Sequence, residues 1–71
     1  MQPERTTDAL VQNHGTLFLV FPETDGAREW IDEHVTGEVT WFGNALVVEH
    51  RYIRDLVAGM IEDGLKVQGE S

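Results

Sequence analysis

The sequence predicts an α+β domain of the ferredoxin-like, split βαβ kind, with element order βαββα(β) and two helices on one face of an antiparallel sheet. Three observations carry that expectation. Gly43-Asn44 sits between β-branched and aromatic runs and has the form of a two-residue type II′ hairpin turn. Apolar residues recur at helical spacing on either side of that hairpin. Ahead of the first helical pattern, Thr16-Leu17-Phe18-Leu19-Val20-Phe21 is a continuous apolar run of the kind found in the centre of a sheet.

Residues 1–13 contain Pro3, two adjacent threonines and alternating charge, and Ala9-Leu10-Val11 are apolar. They read as a loose leader in which Asp8 could cap one short helical turn. Asn13-His14-Gly15 is a turn signal, the strand of residues 16–21 follows, and Pro22 ends it. Thr24 is then placed to cap a helix, with Asp25 near the positive end of its dipole. Ala27, Trp30, Ile31 and Val35 form its apolar stripe, and Gly37 supplies a stop. In the hairpin, Phe42 faces Ala45, Trp41 faces Leu46, Thr40 faces Val47, Val39 faces Val48 and Glu38 faces Glu49. The second helix spans residues 50–64, with Ile53, Leu56, Val57, Met60 and Ile61 on one side, and Gly64 ends it. Gly59 inside it costs about 1 kcal/mol against alanine unless something packs closely there. Leu65-Lys66-Val67-Gln68 has the alternation of a last edge strand, and residues 69–71 read as tail, leaving one domain over residues 14–68.

Two helices cover one face of such a sheet. Trp41, Leu46, Val39 and Val48 are expected on the covered face together with Leu17, Leu19 and Phe21. The other face then inherits Phe18, Val20, Phe42, Ala45 and Val47, an apolar patch of the kind that marks an interface. Leu10 and Val11 of the leader are too few to hide it, so an intermolecular contact is expected, either a homodimer of stacked sheets or a foreign partner.

Thirteen acidic residues against five basic ones give a formal charge of −8 over 71 residues. Direct nucleic-acid binding, which rests on Lys and Arg, is excluded on that ground, and a basic protein surface is the partner such a field attracts. In the antiparallel layout Arg51 and Arg54 approach Asp32 and Glu33, while Glu23, Asp25, Glu62 and Asp63 gather at the opposite pole as a second candidate contact site. There is no cysteine, and no apolar run is long enough to span a bilayer. Together with a start that lacks the features of a secretory signal, this leads to the expectation of a cytoplasmic chain.

Ser71 is the only serine, so acyl transfer through a serine or cysteine nucleophile has no starting point. No glycine pattern suits a phosphate, and His14, His34 and His50 lack the spacing of a metal site. His34 and His50 as neighbours, with Glu33 and Glu49, make at most a weak acid-base pair. No catalytic residue, metal or cofactor is expected, and no enzyme. Glu49-His50-Arg51-Tyr52 reads as a helix start with Glu49 or His50 capping and Tyr52 packed on the first helix. The like charges at Glu38 and Glu49 call for relief by a basic partner or by Arg51 reaching back.

The run Trp41-Phe42-Gly43 through Val47-Val48-Glu49-His50-Arg51-Tyr52, preceded by Ala27-Arg28-Glu29-Trp30, resembles short uncharacterised bacterial and phage-type proteins over residues 15–67. That resemblance implies a mobile-element setting and transfers no activity and no functional residue. By class rather than by motif, a small, acidic, cysteine-free chain is also similar to anti-restriction and anti-CRISPR inhibitors, some of which imitate DNA. The expectation that follows is a protein-interaction module, in its sharpest form an inhibitor occupying a basic nucleic-acid-binding site. The alternative is an accessory protein that dimerises or docks through the apolar sheet face.

Overall fold

The computed structural model describes residues 7–37 and 39–70. Seven elements follow one another: β1 (Ala9–His14), β2 (Leu17–Pro22), α1 (Asp25–His34), β3 (Thr40–Phe42), β4 (Ala45–Glu49), α2 (His50–Glu62) and β5 (Val67–Glu70). The strands form one five-stranded sheet in the order β3-β4-β2-β1-β5, antiparallel throughout except that β5 runs parallel to β1. The fold is thus α+β, but the sheet is mixed and not the four-stranded antiparallel one expected. From β2 onward the element order is the expected one. The difference is β1, which takes the place beside β2 and moves β5 one position outward. No helix among the described residues is long and apolar enough to cross a membrane.

The loose leader is therefore corrected from Ala9 onward, and residues 1–6 lie outside the described residues. Its strand is made by a second tight hairpin, closed by Gly15-Thr16. Gly15 has φ of +86° and, among the described residues, none other than glycine has positive φ, which is the type II′ pattern with glycine first. Gly43, at φ +63°, closes the other hairpin in the same way and gives the expected pairs Phe42 with Ala45, Trp41 with Leu46 and Thr40 with Val47. The expected pairing of Glu38 with Glu49 lies outside the described residues.

Asp8, expected as a helix cap, instead ties three elements together. Its Oδ2 accepts the Lys66 N–H at 2.8 Å and its Oδ1 accepts the Thr24 hydroxyl at 2.8 Å. Thr24 in turn accepts the Ala27 N–H at 3.1 Å, which is the N-cap of α1. The backbone adds bonds from the Asp8 and Ala9 N–H groups to the Lys66 carbonyl and from the Glu23 N–H to the Asp8 carbonyl. These donors, the Lys66 N–H first and the Thr24 hydroxyl second, hold the Asp8 carboxyl below the ordinary aspartate value of 3.8.

Both helices pack on one face. Ala9, Val11, Val20, Ile31, Leu46, Val48 and Met60 form the buried cluster, with Phe18, Trp30, Ile53, Leu56, Val57 and Leu65 packed around it. The α2 stripe stops short of Ile61, which is 56% exposed. Gly64, at φ +92°, ends α2 with a Schellman pair of bonds, Leu65 N–H to the Met60 carbonyl and Gly64 N–H to the Ile61 carbonyl. The helix-to-helix contact rests on Trp30. A Cβ placed on Gly59 would stand 3.3 Å from its Cζ2, so the missing side chain is what lets the indole lie on α2. The indole N–H donates to Asp63 Oδ2 at 2.6 Å, and His34, stacked on Trp30 at 4.2 Å, places Nε2 3.6 Å from the same oxygen. The last turn of α1 therefore meets the end of α2, not its start. The expected pairing of Arg51 and Arg54 with Asp32 and Glu33 does not form: among the described residues Arg51 pairs with Glu49, and Asp63 has His34 beside it.

Two expectations follow. The folded-state carboxyl of Asp8 titrates below 3.8, so the unfolded chain binds the proton first; its stabilisation is full above that pH and is lost as pH falls through the folded value. Asp8→Asn should lower the denaturation midpoint at pH 7 and the deficit should shrink as pH is taken below 3.8, whereas a deficit independent of pH would contradict the assignment. Gly59→Val should displace the Trp30 indole, costing about 1–3 kcal/mol by overpacking, with a shift in tryptophan emission as the direct readout.

Candidate interaction surface

Which face each side chain occupies is decided by how β2 pairs with β4. Val20 lies opposite Leu46 and Phe18 opposite Val48, and Leu46 and Val48 are buried under the helices. Phe18 and Val20, expected on the open face, therefore belong to the core, where Val20 is completely buried. Leu17, Leu19 and Phe21, expected inside, take the open face. Alternation within a strand apolar at every position cannot tell the two faces apart.

The open face is nonetheless apolar. Leu10 lies opposite Phe21, and continuing the β2–β4 register by one residue brings Phe21 opposite Ala45, which pairs with Phe42. Leu10, Phe21, Ala45 and Phe42 thus form a row across four strands, and Leu19 beside Val47 begins the next. Ala45 is fully buried, Val47 is half-buried and Phe42 is 69% exposed. Of the five residues expected on this face, Phe42, Ala45 and Val47 are there, joined by Leu10, Leu17, Leu19 and Phe21. The tight-turn rule applied to Gly15-Thr16 would have found β1 and Leu10, since it needs only the local sequence. Placing Leu19 and Phe21 needs the β2–β4 pairing, for which no local signal exists. Trp41, expected in the core, is 39% exposed because β3 is an edge strand that the helices leave uncovered.

Charge is divided between the faces. Asp25, Glu29, Asp32, Glu33, Asp55, Glu62 and Asp63 are exposed on the helices or at their ends. On the open sheet face the strand registers place Glu49 opposite Leu17 and position 70, a glutamate, opposite Gln12, and Arg51 Nε reaches back to Glu49 at 3.2 Å. Of the expected acidic pole, Glu23, Asp25, Glu62 and Asp63 are all exposed. Glu23 and Asp25 stand at the start of α1, whereas Asp63 is held by Trp30 and His34 in its last turns.

Beside β3, on the helix side, an open groove of about 930 Å³ is lined by Trp30, Val35, Val39, Tyr52, Asp55 and Leu56. Tyr52 is 55% exposed with Arg51 over its ring at 5.1 Å, and so does not pack on α1 as expected. Glu49 occupies the N-cap position of α2 without a side-chain capping bond. His34 is turned to Asp63, while the His50 N–H bonds to the Thr16 carbonyl, so neither contact joins the two histidines. Among the described residues no three His, Asp or Glu side chains converge as a metal site.

Comparison with protein families, curated proteins and solved structures returns no match.

The face assignment has a direct test. Val20→Glu places an unpaired charge in the core and should abolish cooperative unfolding or cost more than about 3 kcal/mol, while Phe42→Glu should stay within about 0.5 kcal/mol of the parent. Chemical denaturation of both variants would expose a reversed assignment at once.

Proposed function

We propose that this chain is a cytoplasmic, non-enzymatic interaction module, a split βαβ plan of ferredoxin-like character widened by β1, that docks through the helix-free face of its sheet onto an apolar surface of a protein partner. The row Leu10, Phe21, Ala45, Phe42, with Leu19 and Val47 beside it, carries this reading. A monomer gains nothing by lining an open face with aliphatic and aromatic side chains, and contiguous patches of this sort mark contact surfaces. These six residues carry no charge, so burying them does not meet the desolvation cost of a buried ion.

A second reading is favoured by the charge division: the acidic helix layer meets a basic protein surface, in its sharpest form a nucleic-acid-binding site of a mobile-element target. Glu23, Asp25 and Glu62 remain its candidate contacts, and Asp63 is less available because the indole and imidazole already hold it.

One capture experiment separates the two. The parent chain, Leu19→Lys with Phe42→Glu, and a triple reversal of Glu23, Asp25 and Glu62 to Lys are immobilised and exposed to extract of the native cell. The expected outcome is a protein retained by the parent and the triple reversal but lost from the face variant. Retention that survives the face change, and disappears with charge reversal or with rising salt, would transfer the function to the acidic layer.

A further inference from the structure

The exposed large apolar side chains are not spread evenly. Val39, Trp41 and Phe42, at 41%, 39% and 69% exposure, crowd into four consecutive positions at the β3 edge. Trp41 shares the helix side of the sheet with Leu46, and Phe42 shares the open side with Ala45. Both sides of this edge are therefore bare, and stacking on the open face would cover Phe42 without covering Trp41. A strand added alongside β3 covers both.

The main chain points the same way. In a two-residue hairpin the residues flanking the turn are bonded to each other, so Phe42 with Ala45 and Thr40 with Val47 are the bonded pairs and Trp41 with Leu46 the unbonded one. The Trp41 N–H and C=O accordingly point away from β4, out of the sheet edge. The opposite edge has Lys66 next to β5, a charge that guards against strand addition. Val39-Thr40-Trp41-Phe42-Gly43-Asn44 has no charge and no proline, in a chain of net charge −8.

We infer that β3 is a strand-addition site whose occupant is the β3 of a second copy of this chain, paired antiparallel about a two-fold axis at Trp41. This inference goes beyond the docking face and does not rest on it. A residue whose N–H and C=O both point outward is self-complementary across such an axis: Trp41 gives one bond to the partner's Trp41 and receives one back, and Thr40 falls opposite the partner's Phe42. The uncharged stretch is where two strongly acidic copies meet with least repulsion. The pairing makes a continuous ten-stranded sheet and extends the open apolar face across the axis, with the two Trp41 indoles side by side on the other face.

Light scattering on the full chain, from roughly 10 μM to 1 mM, tests the pairing together with amide hydrogen exchange at Trp41. The mass should double over that range, and Trp41 exchange should slow at least about tenfold between the dilute and concentrated samples. Trp41→Pro removes the outward N–H without removing a bond to β4 and should stay at the mass of one chain; if it fails to fold, the Trp41 exchange of the parent decides. A mass of one chain throughout, or free Trp41 exchange in a dimer, overturns the inference. So does a dimer that survives Trp41→Pro and is lost in Leu19→Lys, which would be a face-to-face stack. Loss of the captured partner in the face variant, with dimerisation intact, would leave each proposal standing on its own evidence.

Discussion

The Asp8 carboxylate is the constraint on which the arrangement turns. One oxygen receives the first N–H ahead of β5 and the other receives the hydroxyl that caps α1, so the starts of β1, β5 and α1 are fixed around one side chain. With Asp8 placed, β1 cannot slide by a residue against β5 without breaking those bonds, and a one-residue slip is what would exchange its faces. Ala9 and Val11 are thereby committed to the helix side and Leu10 to the other. The polar hub and the apolar face are thus one problem: the first sets the register that makes the second.

The cost of the plan is visible in the core. Of the side chains below 2% exposure, the large ones are Ile31, Leu46, Met60 and Val20, a small set for a chain that is 41% hydrophobic. Much of the remaining apolar content lies on the helix-free face and at β3. A small domain has little burial to spare, so apolar side chains diverted outward weaken the isolated fold unless a contact restores their burial. The acidic helix layer adds self-repulsion on the opposite side, where Arg28 and Arg54 are exposed and make no ion pair among the described residues. Trp30 on Gly59, with Asp63 receiving its N–H, is a local answer to that shortage: one large ring joins the two helices.

Much of the plan was legible in the chain because its signals are local. Thr24 caps the helix it was expected to cap, Gly43-Asn44 closes the hairpin in the expected register, Arg51 reaches back to Glu49, and the close packing that Gly59 required is supplied by Trp30. The failures have other causes. Residues 9–14 carry few apolar positions, so the Gly15-Thr16 turn is the one local mark of their strand, which β2 and β5 complete on either side. Phe18 and Val20 were put on the wrong side because their strand is apolar throughout and its facing is settled by a pairing across residues far apart in the chain. The approach of α1 to α2 was misjudged because charge suggested one meeting point, while exposed charges are weak and a ring seated on a glycine is not.

The pairing of β1 with β5 also bears on how the fold is reached. Asp8 and Lys66 are separated by 58 positions, so this contact closes nearly the longest loop the described chain allows, whereas both hairpins close over two residues. Loop-closure entropy places the hairpins early and the joining of β5 late on the route to the native state. Until that step, β1 offers an open strand edge to solvent, and the chain is most vulnerable to wrong pairing during that interval.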